Sequence, residues 1–312
     1  MKNNILIPGT GAVRRPVSAG DAQLIGFAAV VTPFDFSKSS NLPQPPDQEQ
    51  NGSGSCTAQA AGSKFWLSTG IMISRRDPYS HTFLPGGGAY LVSPFDFLAQ
   101  NGYLDQGKFP EPNPESEQAM ESMIQLKDGD RIRTFRVTRT ISPVNSIDAA
   151  AQIIDQYKGV VLGICGSWSK GWNGSWTDPS YQGQDDWQHA ICGFDHTIRN
   201  GKKAIVCKSS WCSHVDFSGQ PSKVHYINED YFNAGGVFEI LAVDIKEITD
   251  MEQHFKVNIG GRAGLFHVYG DGGWFEVASN EQDYHDMGVK YHVDTCDQVN
   301  GKWVFQPFDF QK

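Results

Sequence analysis

The spacing of apolar and polar positions changes character three times along the chain. Residues 1–41 set short apolar stretches, at 5–7 and 24–31, among turn formers and read as an N-terminal extension packed on the main body. Residues 37–55 (SKSSNLPQPPDQEQNGSGS) are rich in Pro, Gly and Ser, as an extended, loop-like approach should be. From 57 to 66 small and apolar residues recur at helical spacing among good helix formers, with Ser55 placed as N-cap and Cys56 in the first turn. Two more helices are expected over 93–103 (SPFDFLAQNGY) and 146–158 (SIDAAAQIIDQYK), each with a Ser before the periodic run, the first ending at Asn101-Gly102. At 159 the pattern switches to strands: GVVLGIC, HAICGFD, KKAIVCKSSW and GGVFEILAV. Helices first and antiparallel strands afterwards predict an α+β protein with the two types segregated.

Residues 251–312 differ again. FKVNI, GLFHVYG, GWFEVAS, KYHVDTC and KWVFQPF are short alternating stretches divided by Gly-Asp-Gly-Gly and Asn-Gly turns, the pattern of a small all-β module. The organisation expected is an extension over 1–41, a main domain over 42–250 and a β-rich module over 251–312. The tetrapeptide Pro-Phe-Asp-Phe occurs at 33, 94 and 307, but its flanks are unrelated and its gaps unequal, so it is no repeat.

Composition narrows the function more than the fold. The 312 residues are 39% hydrophobic and 20% charged, ordinary for a globular protein. A net charge of −9 leaves no basic surplus for tracking phosphates, which argues against nucleic acid as a partner. No stretch approaches the roughly 18 to 20 apolar residues of a membrane span, and three apolar residues before Pro8-Gly9 cannot form a secretory signal core. The expectation is a soluble chain with no membrane partner. Its cysteines, Cys56, Cys165, Cys192, Cys207, Cys212 and Cys296, show no two-residue gap of a zinc or redox motif. Mostly free thiols fit this pattern, with Cys165, Cys192, Cys207 and Cys296 read as small buried hydrophobes, and with it a reducing, cytoplasmic compartment or a virion. No metal or organic cofactor is implied.

The stretch Gln50-Asn51-Gly52-Ser53-Gly54-Ser55-Cys56-Thr57-Ala58 carries the chemistry. A thiolate gains from a helix N-terminus, whose unpaired N–H groups and dipole stabilise negative charge. Glycines before the cysteine let a substrate carbonyl approach the Cys56 N–H, and Gln50 can offer a side-chain amide as second oxyanion donor. A thiol also needs a base. His189 opens an apolar strand after a turn-rich segment and lies 133 residues beyond Cys56 (189 − 56), inside the interval of roughly 130 to 150 residues of papain and cathepsins.

On these residues the chain resembles the papain family, and within it prokaryotic and viral members with Gly-Ser-Cys-Thr-Ala at the nucleophile. Gln50 to Cys56 follows the family's Gln-x-x-x-Gly-Ser-Cys motif, and Trp187-Gln188-His189-Ala190-Ile191 follows its histidine strand. Lys208-Ser209-Ser210-Trp211 stands where the family has Lys-Asn-Ser-Trp, and Gly86-Gly87-Gly88 resembles the glycine strip that pairs with substrate backbone. The match spans roughly 42–245. It implies a two-lobed fold, a helical lobe and an antiparallel β lobe, with the small all-β module appended. It further implies peptide or protein substrates, Cys56 as nucleophile, His189 as base, Gln50 in the oxyanion hole and Trp211 shielding the histidine.

Three departures bear on that reading. Ser209 replaces the asparagine that orients the histidine; its hydroxyl can accept from a ring N–H, though it is shorter and a bridging water is one way to span the gap. Ser53 replaces a cysteine the family usually pairs in a disulfide. Only 55 residues precede Cys56, too few for the family's usual inhibitory propeptide. Other expectations stay open beside the peptidase. One is an amidase or endopeptidase on cell-wall peptide. Another is a catalytically weakened scaffold used for binding or structure, which Ser209 motivates. The segment 166–187, with four tryptophans, reads either as a surface loop whose indoles pack on the body or as a substrate-facing wall using Trp172 and Trp176. The module over 251–312 reads as a docking domain for a protein or cell-wall partner.

Overall fold

The computed structural model describes residues 11–14, 33–50, 52–113, 115–127, 129–142, 144–166, 178–183, 185–211 and 224–248, and beyond them the backbone of six strands. The chain divides into two units, Met1–Glu247 and Ile248–Lys312.

The first unit runs β1 (Ala12–Val13), α1 (Cys56–Thr69), α2 (Arg76–Thr82), β2 (Ala89–Tyr90), α3 (Ser93–Asn101), α4 (Glu117–Glu121), β3 (Phe135–Ile141), α5 (Ile147–Tyr157), β4 (Val160–Gly166), β5 (Trp187–Arg199), β6 (Lys202–Lys208), β7 (His225–Asn228), α6 (Glu229–Asn233) and β8 (Val237–Glu247). Six strands form one antiparallel sheet in the order β3-β8-β4-β5-β6-β7. The helices α1 to α4 precede the sheet in sequence, so the first unit is α+β with a helical part and an antiparallel sheet.

Side-chain alternation on β4 explains how two cores share the sheet. Val160, Leu162 and Ile164 face the core built with α5, where Ile147, Ala150, Ala151 and Ile154 repeat at helical spacing. Val161 faces the other way, against Phe65 of α1 and Phe95 of α3. Both faces of β4 are therefore covered, which is why its sequence is an unbroken apolar run. Helix α5 starts as its sequence suggests, Ser146 accepting from the Ala149 N–H at 3.2 Å.

Helix α1 is buried on nearly every side and packs on β5 and β8. Small residues make this feasible: a Cβ on Gly62 would sit 2.9 Å from Arg75 Cγ. Ser55 is its N-cap residue but makes no side-chain cap. Its hydroxyl instead bonds Ser53 Oγ at 2.8 Å and accepts from Gln59 Nε2 at 3.1 Å. The helix thus begins at Cys56 on a loop stiffened by its own polar side chains.

In the second unit β9 (Gln253–Ile259), β10 (Arg262–Val268), β11 (Trp274–Ala278) and β12 (Lys290–His292) form an antiparallel sheet in the order β12-β11-β10-β9. A separate pair joins β13 (Gln298–Val299) to β14 (Lys302–Trp303). Among the described residues no helix is long and apolar enough to cross a membrane.

Candidate active site

The N-terminus of α1 and the start of β5 meet at Cys56. Its thiol is fully buried, with the backbone of Ala190, the residue after His189, beside it. His189 is equally buried. Its Nε2 lies 3.0 Å from Ser209 Oγ, so the serine reaches the ring directly. The indole of Trp211 stacks on the imidazole, ring centroids 3.8 Å apart and planes 17° from parallel. Ser209 Oγ also accepts the Trp211 N–H at 3.2 Å. The ring is therefore held in its plane by the indole and at Nε2 by the serine, while Nδ1 has no hydrogen-bond partner among the described residues.

Gln50 is fixed from both sides. Ser210 Oγ donates to its Oε1, its Nε2 donates to the Ser53 carbonyl at 2.7 Å, and its backbone N–H donates to the Ser210 carbonyl at 3.0 Å. Ser210 follows Ser209, so one segment after β6 positions both the histidine and the glutamine. Under the loop, Gln59 Nε2 donates to Glu115 Oε2 at 2.9 Å, and Glu115 lies beside Arg75.

Gly86, Gly87 and Gly88 have φ of 94°, 91° and 76°, values that require glycine. They form a turn, closed by Gly87 N–H to the Leu84 carbonyl at 2.9 Å and Leu84 N–H to the Gly88 carbonyl at 2.8 Å. The edge that pairs with another strand is the next pair of residues, Ala89–Tyr90. Sequence reasoning missed Ala89; its signal was a small residue just after a glycine run.

That edge is occupied by the chain's own residues 11–14. Strand β1 runs parallel to β2, and the Ala89 N–H donates to the Gly11 carbonyl at 2.6 Å. The Arg14 N–H donates to Gln188 Oε1 at 2.7 Å, and its guanidinium reaches Asp185 at 3.4 Å. Gly11 is pressed on the nucleophile loop so closely that a Cβ there would lie 1.6 Å from the Gly54 carbonyl oxygen. The segment covers Cys56, and the covering decides its electrostatics. Burial pushes the Cys56 thiol up to about 12, only partly offset by nearby backbone of Ala190, Gly11, Thr57 and Ala12. Burial, with buried His225 close by, holds His189 well below the usual imidazole range. In the covered cleft both groups are neutral.

Trp187 is a core residue, edge-on to Trp211 with ring centroids 5.8 Å apart. Trp172 and Trp176 lie outside the described residues, as do Cys212, Cys296 and every side chain of the C-terminal module.

No family model and no curated protein matches the sequence. Solved structures match the fold. Xylellain, a cysteine protease from Xylella fastidiosa, superposes with a TM-score of 0.57 at 15% identity, over 76% of this chain and 96% of that one. Procathepsin B S9 from Trypanosoma congolense gives 0.55 at 14% identity, over 76% and 87%. The digestive procathepsin L 3 of Tenebrio molitor larval midgut gives 0.54 at 15%, over 76% and 75%. The fold is that of the papain-like cysteine proteases.

Proposed function

We propose that this chain is a cysteine-type peptidase that cleaves peptide bonds by acyl transfer through Cys56. The observation that carries the reading is the state of His189: stacked on Trp211, tied at Nε2 to Ser209, with Nδ1 unpartnered, and next in sequence to Ala190, whose backbone lies beside the Cys56 thiol. With Nε2 protonated and donating to Ser209, Nδ1 is the basic nitrogen and takes the thiol proton. The thiolate attacks the substrate carbonyl, and the oxyanion forms against the Cys56 N–H at the start of α1 and the Gln50 amide. His189 then protonates the leaving amine, the thioester forms, and water hydrolyses it with the same imidazole as base.

An extended peptide is supported as substrate because β2 already holds an extended segment by backbone pairing, and that pairing is indifferent to side-chain identity. The cleft must first lose residues 11–14. The test is hydrolysis of a fluorogenic peptide library by the full-length chain carrying Gly11→Val, which displaces that segment. Cleavage abolished by Cys56→Ser supports the reading; absence of any cleavage, with Cys56 unreactive towards peptidyl epoxides, refutes it.

A further inference from the structure

Two side chains outside the catalytic group join the two backbone walls of the cleft. Tyr79 lies on α2 and is fully buried, and Glu117 opens α4. The Gly54 N–H donates to Glu117 Oε2, and the Tyr79 hydroxyl donates to Glu117 Oε1. The Gly88 N–H donates to Tyr79 Oη at 2.9 Å. An unbroken hydrogen-bonded path therefore runs from the loop before Cys56 to the glycine turn before β2.

The space between these walls has no room for other side chains. A Cβ on Gly54 would lie 2.7 Å from the Gly88 nitrogen, and one on Gly87 would lie 3.0 Å from Glu117 Oε1. Beneath, Met120 of α4 packs with Tyr79, Ala58 and Ala89 in an apolar cluster of their own, which seats α4 against α1, α2 and β2. A carboxylate suits this place because it only accepts, and its two oxygens face two donors. Charge-assisted hydrogen bonds of this kind are stronger than neutral ones.

We propose that Tyr79 and Glu117 are positioning residues that set the separation between the nucleophile loop and the substrate-pairing edge. The inference rests on the peptidase reading for its functional meaning. Gly54 precedes Cys56 by two residues, and Gly88 immediately precedes the Ala89 N–H on which an extended peptide pairs. A peptide gripped by one wall presents its carbonyl to the other, so a shift of about 1 Å between the walls costs on the order of 100-fold in rate.

The test uses the full-length chain with Gly11→Val, adding Tyr79→Phe or Glu117→Ala. Amide hydrogen exchange is followed at Gly54 and Gly88. Cys56 is labelled with a peptidyl epoxide, which needs both walls, and with iodoacetamide, which needs only the thiol. Expected for Glu117→Ala is faster exchange at both glycines, and for Tyr79→Phe faster exchange at Gly88. Each should slow the epoxide about tenfold or more and leave iodoacetamide within about twofold. The proposal is overturned if exchange at the glycines is unchanged, or if the two labelling rates fall together as the melting temperature drops. Iodoacetamide labelling that ignores His189 in the parent variant would defeat the peptidase reading alone, and exchange at Gly54 and Gly88 would still decide whether the path holds the walls.

Discussion

Gly11→Val should turn the covered cleft into an open one. A Cβ at this position would lie 1.6 Å from the Gly54 oxygen and 2.2 Å from its carbonyl carbon. Gly54 has little room to retreat, since even a Cβ built on it would lie 2.7 Å from the Gly88 nitrogen. What holds the segment is short: the two-residue β1–β2 ladder, the Ala89 to Gly11 hydrogen bond beside it and the Arg14 to Gln188 hydrogen bond, each bond worth about 1 kcal/mol. The Ala12 methyl adds about 1 kcal/mol, and the half-exposed ion pair to Asp185 adds little. Overpacking typically costs about 1 to 3 kcal/mol even where side chains can yield, and a Cβ 1.6 Å from a backbone oxygen has no such escape, so the segment leaves. The Cys56 thiol, at about 12 when covered, then falls at least to the ordinary value near 8.5, before any further lowering by pairing with His189, so the two factors that follow are lower bounds. At pH 7.5 the thiolate fraction rises roughly 3,000-fold, while the less basic thiolate is roughly 40-fold less nucleophilic. Alkylation by iodoacetamide should therefore accelerate on the order of 100-fold. Stopped-time labelling with mass spectrometry reads this directly. A variant that folds and labels no faster than wild type would refute the covering argument.

Three further outcomes follow from the same geometry. Ser209→Ala in the opened chain removes the 3.0 Å partner of His189 Nε2 and should slow peptide cleavage about tenfold, the equivalent of one hydrogen bond near 1.4 kcal/mol; Ser209→Asn should retain most of the rate. His189 is held neutral in the fold, whereas the unfolded chain binds its proton below about 6.5. Stability should therefore fall as pH drops below that value, by up to about 1.4 kcal/mol per pH unit, and thermal melts of His189→Gln should lack this component. Burial pushes Glu115 up to about 8, so the fold retains a proton that the unfolded chain releases above about 4.5. That contribution is lost as pH rises towards 8. Between pH 6.5 and 8 the melting temperature of Glu115→Gln should stay flatter than that of wild type, by about 2 to 4 °C per pH unit.

The parts of this fold legible in the sequence are those whose signal is local. The apolar run 160–164 marks a strand covered on both faces, and Ser146 before Ile147 marks a helix start; each is a pattern within a few residues. Gln50 to Cys56 is one contiguous motif, and the interval to His189 is a property of the fold's length, so the main groups of the candidate site can be read from the sequence. Helix α2 was missed because its seven residues, Arg76–Thr82, contain Pro78 and are held by tertiary contacts: Asp77 takes a bidentate hydrogen bond from Arg131 at 2.6 and 2.8 Å. Helix α4 is shorter still, and its role depends on Met120 and Glu117 meeting residues far away in sequence. Strand β3 (FRVTRTI) pairs on one side only, with β8, so its alternation is diluted by polar residues. The covering of Cys56 by residues 11–14 had no local signal, because the fit at Gly11 depends on the backbone of Gly54 and Gly88.

The central claim is that Cys56 and His189 form a working nucleophile and base once the cleft is open. It is tested most directly by the pH dependence of Cys56 alkylation in Gly11→Val, with and without His189→Ala. The expected rate reaches a plateau well below pH 8.5 and loses it when His189 is replaced, as a thiolate–imidazolium pair requires. A single rise centred near pH 8.5, the same in both variants, would contradict it.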